Sequence, residues 1–191
     1  DGKLYAVGGE SEDDGATSNL VERYDLAANA WQAVAPMGTA RQEHAVAVLD
    51  GKVYAVGGVN NDDGDLSSVE RYDPATKAWE AVAPMATARH GPAVAGLDGK
   101  LYAVGGFSDG DLTSVERYDP ALDAWEAVAP MAEARRYHAV AELDGKLYAV
   151  GGEDAGYHAL RSVERYDPAT NAWEAVVPMG KLRRASVAVL I

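Results

Sequence analysis

Apolar positions along this chain come in short runs, each closed by a turn signal. One stretch reads "GPAVAGLDG", then "KLYAVGG", then "SVERYD", then "AWEAVAPM". The runs have strand length, and none carries a sustained helical period. The pairs Asp50-Gly51, Asp98-Gly99 and Asp144-Gly145 lie between two runs. Asp-Gly is a strong hairpin signal because both positions accept positive φ. "DPAT" after Tyr72 and Tyr166 is a Pro-led turn. Four strands with antiparallel hairpins are predicted for each such unit.

The unit occurs four times. Glycine pairs begin at Gly8, Gly57, Gly105 and Gly151, and the tryptophans are Trp31, Trp79, Trp125 and Trp173. A period near fifty with these landmarks predicts a radial array of small sheets, a β-propeller. The spacing from each Trp to the next glycine pair is constant at 26. The slack lies after the glycine pairs, in "ESEDDGATSNL", "VNNDDGDL", "FSDGDL" and "EDAGYHALR". A connection that tolerates length change is a surface loop. These loops and the connections after "PM" are expected on one face, and the "DG" and "DPAT" turns on the other. The varied face is the expected binding surface.

The glycine pair, the "VERYD" tyrosine, the tryptophan beyond it and "PM…R" before the next strand resemble the kelch repeat. The resemblance covers essentially the whole chain. It implies an all-β propeller of four blades in residues 1–191. The units are 1–37 plus 183–191, 38–85, 86–131 and 132–179, each a four-stranded antiparallel sheet. The close identity between copies also fits consensus design or recent duplication. The start at "DGKLYAVGG" is mid-pattern, as in a trimmed or engineered chain. The final "ASVAVLI" matches the first strand of a repeat, which the first repeat lacks. The resemblance implies that this strand closes the ring on the N-terminal blade. Closure within the chain gives four blades; exchange between two chains gives an eight-bladed homodimer; a piece of a longer propeller is the third possibility. Abundant Ala, Val and Gly between blades would favour the narrow wedges of the dimer.

Net charge is −13, which disfavours generic binding to nucleic acid or an anionic membrane. There is no cysteine, hence no disulfide, thiolate site or cysteine nucleophile. No apolar run has the length of a membrane-spanning helix.

Each connection after "PM" carries an arginine: Arg41, Arg89, Arg135 and Arg183. The last connection is shorter by one, so either Arg183 or Arg184 holds the equivalent place. In kelch adaptors, arginines at matching positions hold acidic groups of peptide ligands. A guanidinium makes two parallel bonds to a carboxylate. The resemblance therefore implies an acidic peptide or loop as partner. The alternative is that the arginines pair with acidic neighbours and stabilise the mouth. Arg136, Lys181, Tyr137, Tyr157, His90 and His158 add polar and aromatic character there. His44 and His138 hold equivalent places two repeats apart, would face each other across a four-bladed ring, and are counted with the arginines and Tyr137 among the candidate ligand-binding residues. Two imidazoles alone make a poor metal site, and ordinary packing is the better expectation. The acids of "NNDDGD" are read as turn formers rather than a calcium loop.

No nucleophile–base–acid set stands out. Glu22, Glu70, Glu116 and Glu164 recur in every copy, whereas a reaction has one centre. Glu142 is singular, but one carboxylate is not a mechanism. A non-catalytic interaction scaffold without cofactor is expected. A self-assembling repeat protein and a sugar-processing propeller are the alternatives.

Overall fold

The computed structural model describes residues 2–11 and 15–183. They form β-strands and turns, with no helix. Blade 1 holds β1 (Leu4–Glu10), β2 (Thr17–Asp25) and β3 (Ala30–Ala33). Blade 2 begins with β4 (Ala45–Leu49) and β5 (Lys52–Val56). A small hairpin follows, β6 (Val59–Asn60) and β7 (Gly64–Asp65), and then β8 (Val69–Asp73) and β9 (Ala78–Val82). Blade 3 is β10 (Ala93–Leu97), β11 (Lys100–Val104), β12 (Val115–Asp119) and β13 (Ala124–Val128). Blade 4 is β14 (Ala139–Leu143), β15 (Lys146–Val150), β16 (Val163–Asp167) and β17 (Ala172–Val176). Blades 2 to 4 are four-stranded antiparallel sheets with strands in chain order; blade 1 has three strands among the described residues. This is the predicted propeller architecture.

The turns explain the registers. Asp98 and Gly99 have φ of 51° and 70°, the mirror-image turn that Asp-Gly favours. It sets Leu97 opposite Lys100 and leaves Ala95 opposite Tyr102. At the "DPAT" corners Asp73 and Asp167 accept the amide hydrogens of Ala75 and Ala169 at 2.8 and 2.9 Å. Their second oxygens take Lys52 and Lys146, which tie each corner to the neighbouring strand.

The core lies between blades rather than within them. Tyr54 meets Tyr118 at 5.9 Å between ring centres, and Tyr102 meets Tyr166 at 5.7 Å. Each later tryptophan donates its ring N–H to a backbone carbonyl of the blade before: Trp79 to Ala35, Trp125 to Ala83 and Trp173 to Ala129, at 2.9–3.0 Å. The largest fully buried side chains are three arginines and four tyrosines. Wedges that hold such groups are not the Ala-Val-Gly seams expected from composition, so that argument for narrow wedges fails. Residues 184–191, which include the expected closing strand and Arg184, lie outside the described residues. So do Glu12, Asp13 and Asp14.

Candidate functional site

The loops after the glycine pairs and the connections after "PM" meet at one end of the propeller. Backbone bridges join Gln42 to Val59, His90 to Phe107, Arg136 to Glu153 and Leu160 to Arg183. Next to the axis, the Gly91 amide donates to the Glu43 carbonyl at 2.8 Å, and the Tyr137 amide to the Gly91 carbonyl at 2.9 Å. Three connections are thereby stitched into an inner rim.

The arginines of these connections do not face that rim. Arg41, Arg89 and Arg135 are fully buried. Arg89 donates through Nη1 to the Gly105 carbonyl at 2.8 Å and through Nη2 to Glu116 Oε1 at 2.6 Å. It also bonds the carbonyl and hydroxyl of Ser114 at 3.1 and 3.2 Å. Glu116 in turn accepts the amides of Ala86 and Thr87 at 2.7 and 3.1 Å. Arg41 pairs in the same way with Glu70 at 2.8 Å, and Arg135 with Glu164 at 2.9 Å. Each carboxylate belongs to the blade after the connection that carries the arginine. The expected role of these three in holding a ligand is therefore corrected: no guanidinium face is left for one. Pairing with acidic neighbours, the alternative, describes them.

Arg183 differs. Its amide donates to the Leu160 carbonyl and its carbonyl accepts from Gly152, the same backbone pattern as Arg135. Arg183, not Arg184, holds the repeating place. Its side chain is exposed.

The expectation that His44 and His138 face each other across the axis and bind a ligand is corrected, because the ring nitrogens of both are buried. The two histidines fill slots between successive blades. The His138 Cβ lies where a side chain on Gly152 would stand, 2.7 Å from that position. Its Cε1 lies 2.9 Å from the corresponding position on Gly105. His44 bridges Gly8 and Gly58 in the same way. Both ring nitrogens of His138 are buried with no hydrogen-bond partner among the described residues. Burial, and then the charge of Arg135, lowers its pKa to about 3; burial and Arg41 lower that of His44 to about 4. Above pH 6.5 both are neutral whether folded or not. Below it the unfolded chain takes up protons that the native state refuses, so stability falls as the pH drops towards 4 and then 3. One pKa unit is about 1.4 kcal/mol, so His138 alone contributes a loss of a few kcal/mol. A pH series of urea unfolding checks this. The double variant His44→Leu, His138→Leu should show a shallower decline over that range.

What does face the mouth is a mixed aromatic and charged cluster. Arg136 is 5% exposed. It donates to Glu153 Oε1 at 2.9 Å and lies 3.5 Å from Asp111. Its guanidinium sits 4.6 Å from the ring centre of Tyr157, 5.0 Å from Phe107 and 5.7 Å from Tyr137. Phe107 also stacks on His90, whose Nδ1 is 2.6 Å from Asp65. Tyr137 donates its hydroxyl hydrogen to Glu43 across the rim at 2.6 Å. Burial and that carboxylate hold the phenol above its ordinary pKa. Arg136 and Tyr137 both lie in this cluster, where Arg136 is held by this chain's own acids and rings. Phe107 and Glu43 were not singled out from the sequence. The signal available was that Phe107 is the chain's one phenylalanine and follows a glycine pair directly.

The outer loops are acidic and exposed, with Asp62, Asp63 and Asp109 in the open. Asn60 accepts the amides of Asp62 and Asp63 at 3.1 and 2.6 Å, which fits the turn-forming reading of "NNDDGD". Among the described residues no group of three or more His, Asp or Glu is arranged to hold a metal ion.

This geometry coincides with a family match. Residues 1–190 match the model described as the KLHDC2/KLHL20/DRC7 Kelch-repeats domain. The chain belongs to the kelch-repeat family. It is also 51% identical over 49 residues to human Kelch-like protein 5, a stretch that is 26% of this chain and 6% of that protein. The kelch chain thus spans a small fraction of that relative's length. Kelch repeats generally mediate contacts between proteins.

Proposed function

We propose that this kelch protein is a non-catalytic interaction scaffold that binds a segment of a partner protein at the loop-bearing mouth. The observation that carries the reading is the mouth cluster. Tyr157 is 65% exposed beside Arg136, and the Glu43 side chain is 40% exposed on the inner rim. Aromatic surface next to partly exposed charge is the usual make-up of binding anchors. The exposed charges of the mouth are mainly carboxylates, and Arg136 is already compensated. The segment favoured is therefore basic, with its Lys or Arg set against Glu43, Asp109 and the Tyr157 ring.

A second reading keeps the acidic peptide or loop. It is supported by the exposed Arg161, Lys181 and Arg183, which gather at the blade 4 end of the same face. Basic, acidic and neutral peptides of equal length, followed by fluorescence anisotropy, separate the two. The first reading expects the basic peptide to bind, more weakly as salt rises. Tyr157→Ala should weaken it about tenfold. Binding of the acidic peptide, lost in Lys181→Ala plus Arg183→Ala, replaces the first reading with the second. Absence of binding by all three overturns both.

A further inference from the structure

Each blade enters its outermost strand from a corner whose last residue has positive φ: Asn29, Lys77, Asp123 and Asn171, at 50°, 58°, 46° and 49°. Asparagine and aspartate are the residues with a side chain that enter this region most readily. In blades 1, 3 and 4 the side-chain oxygen of this residue accepts the hydroxyl hydrogen of Tyr24, Tyr118 or Tyr166. In blades 3 and 4 it also reaches the blade before, accepting the Ala83 amide at 2.9 Å and the Ala129 amide at 3.0 Å. Asp123 is thus a carboxylate seated between two blades. The Ala83 amide, then the Tyr118 hydroxyl and then the charge of Arg71 hold it below the ordinary carboxyl range.

The junction of blades 1 and 2 lacks this oxygen. Lys77 stands at the place, and its ammonium has no acceptor to offer. The Ala35 amide and the Tyr72 hydroxyl are the counterparts of the two donors that hold Asp123. Neither has a hydrogen-bond partner among the described residues, and Tyr72 is only 2% exposed. A second exchange accompanies the first. Arg71 and Arg117 pair with Glu80 and Glu126, but Arg23 meets the neutral Gln32 at 3.3 Å. At these three positions the junction of blades 2 and 3 holds one cation and two carboxylates, whereas that of blades 1 and 2 holds two cations and no carboxylate. Asp25 at the neighbouring corner is taken up by the Ala27 and Ala28 amides and by Gln32. A cavity of about 230 Å³ lies at this junction, and its lining includes Arg23, Gln32, Ala35, Tyr72 and Lys77.

We propose that this cavity is a binding site for a carboxylate, which takes the place that Asp123 fills at the next junction. The bound group accepts hydrogen bonds from the Ala35 amide and the Tyr72 hydroxyl, and Arg23 and Lys77 supply the opposing charge. The volume suits a small organic acid or the side chain of one glutamate or aspartate. The site lies on the face away from the loop-bearing mouth and does not rest on the reading given there.

Amide NMR of the labelled chain tests it, with sodium succinate and capped glutamate as probes and sodium chloride at equal ionic strength as the control. The Ala35 amide signal should move and saturate with a carboxylate probe and stay in place with chloride. A response to succinate alone assigns the site to a free acid, and a response to capped glutamate opens it to the side chain of a partner. Lys77→Asp copies the corner of blade 3, and Lys77→Asn that of blade 4. Each should fold as the wild type does and weaken the probe at least about tenfold, because the missing oxygen then comes from within. Arg23→Gln should weaken it about fivefold. A shift that follows ionic strength whichever salt is used overturns the proposal. So does probe binding that survives both Lys77→Asp and Lys77→Asn, since the probe then sits elsewhere, the mouth included.

Discussion

Replacing Arg89 by alanine is expected to lower the unfolding free energy by about 3–5 kcal/mol. The change removes the partner of a carboxylate that is itself buried, since Glu116 is 3% exposed. It also strips acceptors at the Gly105 and Ser114 carbonyls of the guanidinium hydrogens they now receive. An unpaired buried charge costs far more than an ordinary lost contact. For a domain with a total stability of about 5–15 kcal/mol this is a large fraction. Arg41→Ala and Arg135→Ala should behave alike. Arg183→Ala, on an exposed side chain, should change monomer stability by less than about 0.5 kcal/mol. Arg89→Lys keeps the charge but not the fork, and one ammonium cannot reach Gly105, Ser114 and Glu116 in the same geometry. Urea unfolding of the four alanine variants checks the pattern. Equal, small losses at all four positions would return the buried arginines to the surface role first expected of them.

The second large effect is at Gly105. A Cβ on this residue would stand 2.4 Å from the Arg135 carbonyl oxygen and 2.9 Å from the ring of His138. The carbonyl cannot retreat easily, because it accepts the Gly106 amide at 2.9 Å. Gly105 also has φ of 58°, a region that other residues enter at a cost. Gly105→Ala is therefore expected to destabilise by at least about 3 kcal/mol, from clash and backbone strain together. Gly99→Ala is the control: it has a similar φ of 70° but open space around the added carbon, and should cost about 1 kcal/mol. Thermal unfolding of the pair separates steric closeness from conformational strain.

The strands and hairpins were legible because their causes are local. Asp98-Gly99 needs only its own backbone to define the turn, and the short continuous apolar run of "KLYAV" needs only its own residues to mark a strand buried on both faces. The propeller was legible because four copies repeat in step. The destiny of the arginines was half legible. Arg89 and Glu116 recur together in each copy, which is the mark of a pair, yet they lie 27 positions apart. Nothing in the local pattern says that one falls behind the next blade rather than into the mouth. His138 was illegible for a similar reason: its slot is made by glycines from two different repeats. The mouth cluster needed three connections brought to one rim, and Glu43 and Tyr137 meet across 94 positions of chain. The composition argument misled because Ala and Val dominate by number, while Arg, Tyr and Trp fill the wedges.

Each buried arginine fastens one repeat to the glutamate of the next. A double-mutant cycle in urea with Arg89→Met and Glu116→Gln, singly and together, measures that bond directly. A buried, hydrogen-bonded pair should show a coupling of about 2 kcal/mol or more, with the double variant more stable than the sum of the single losses allows. Losses that simply add, with coupling within about 0.5 kcal/mol of zero, would contradict it.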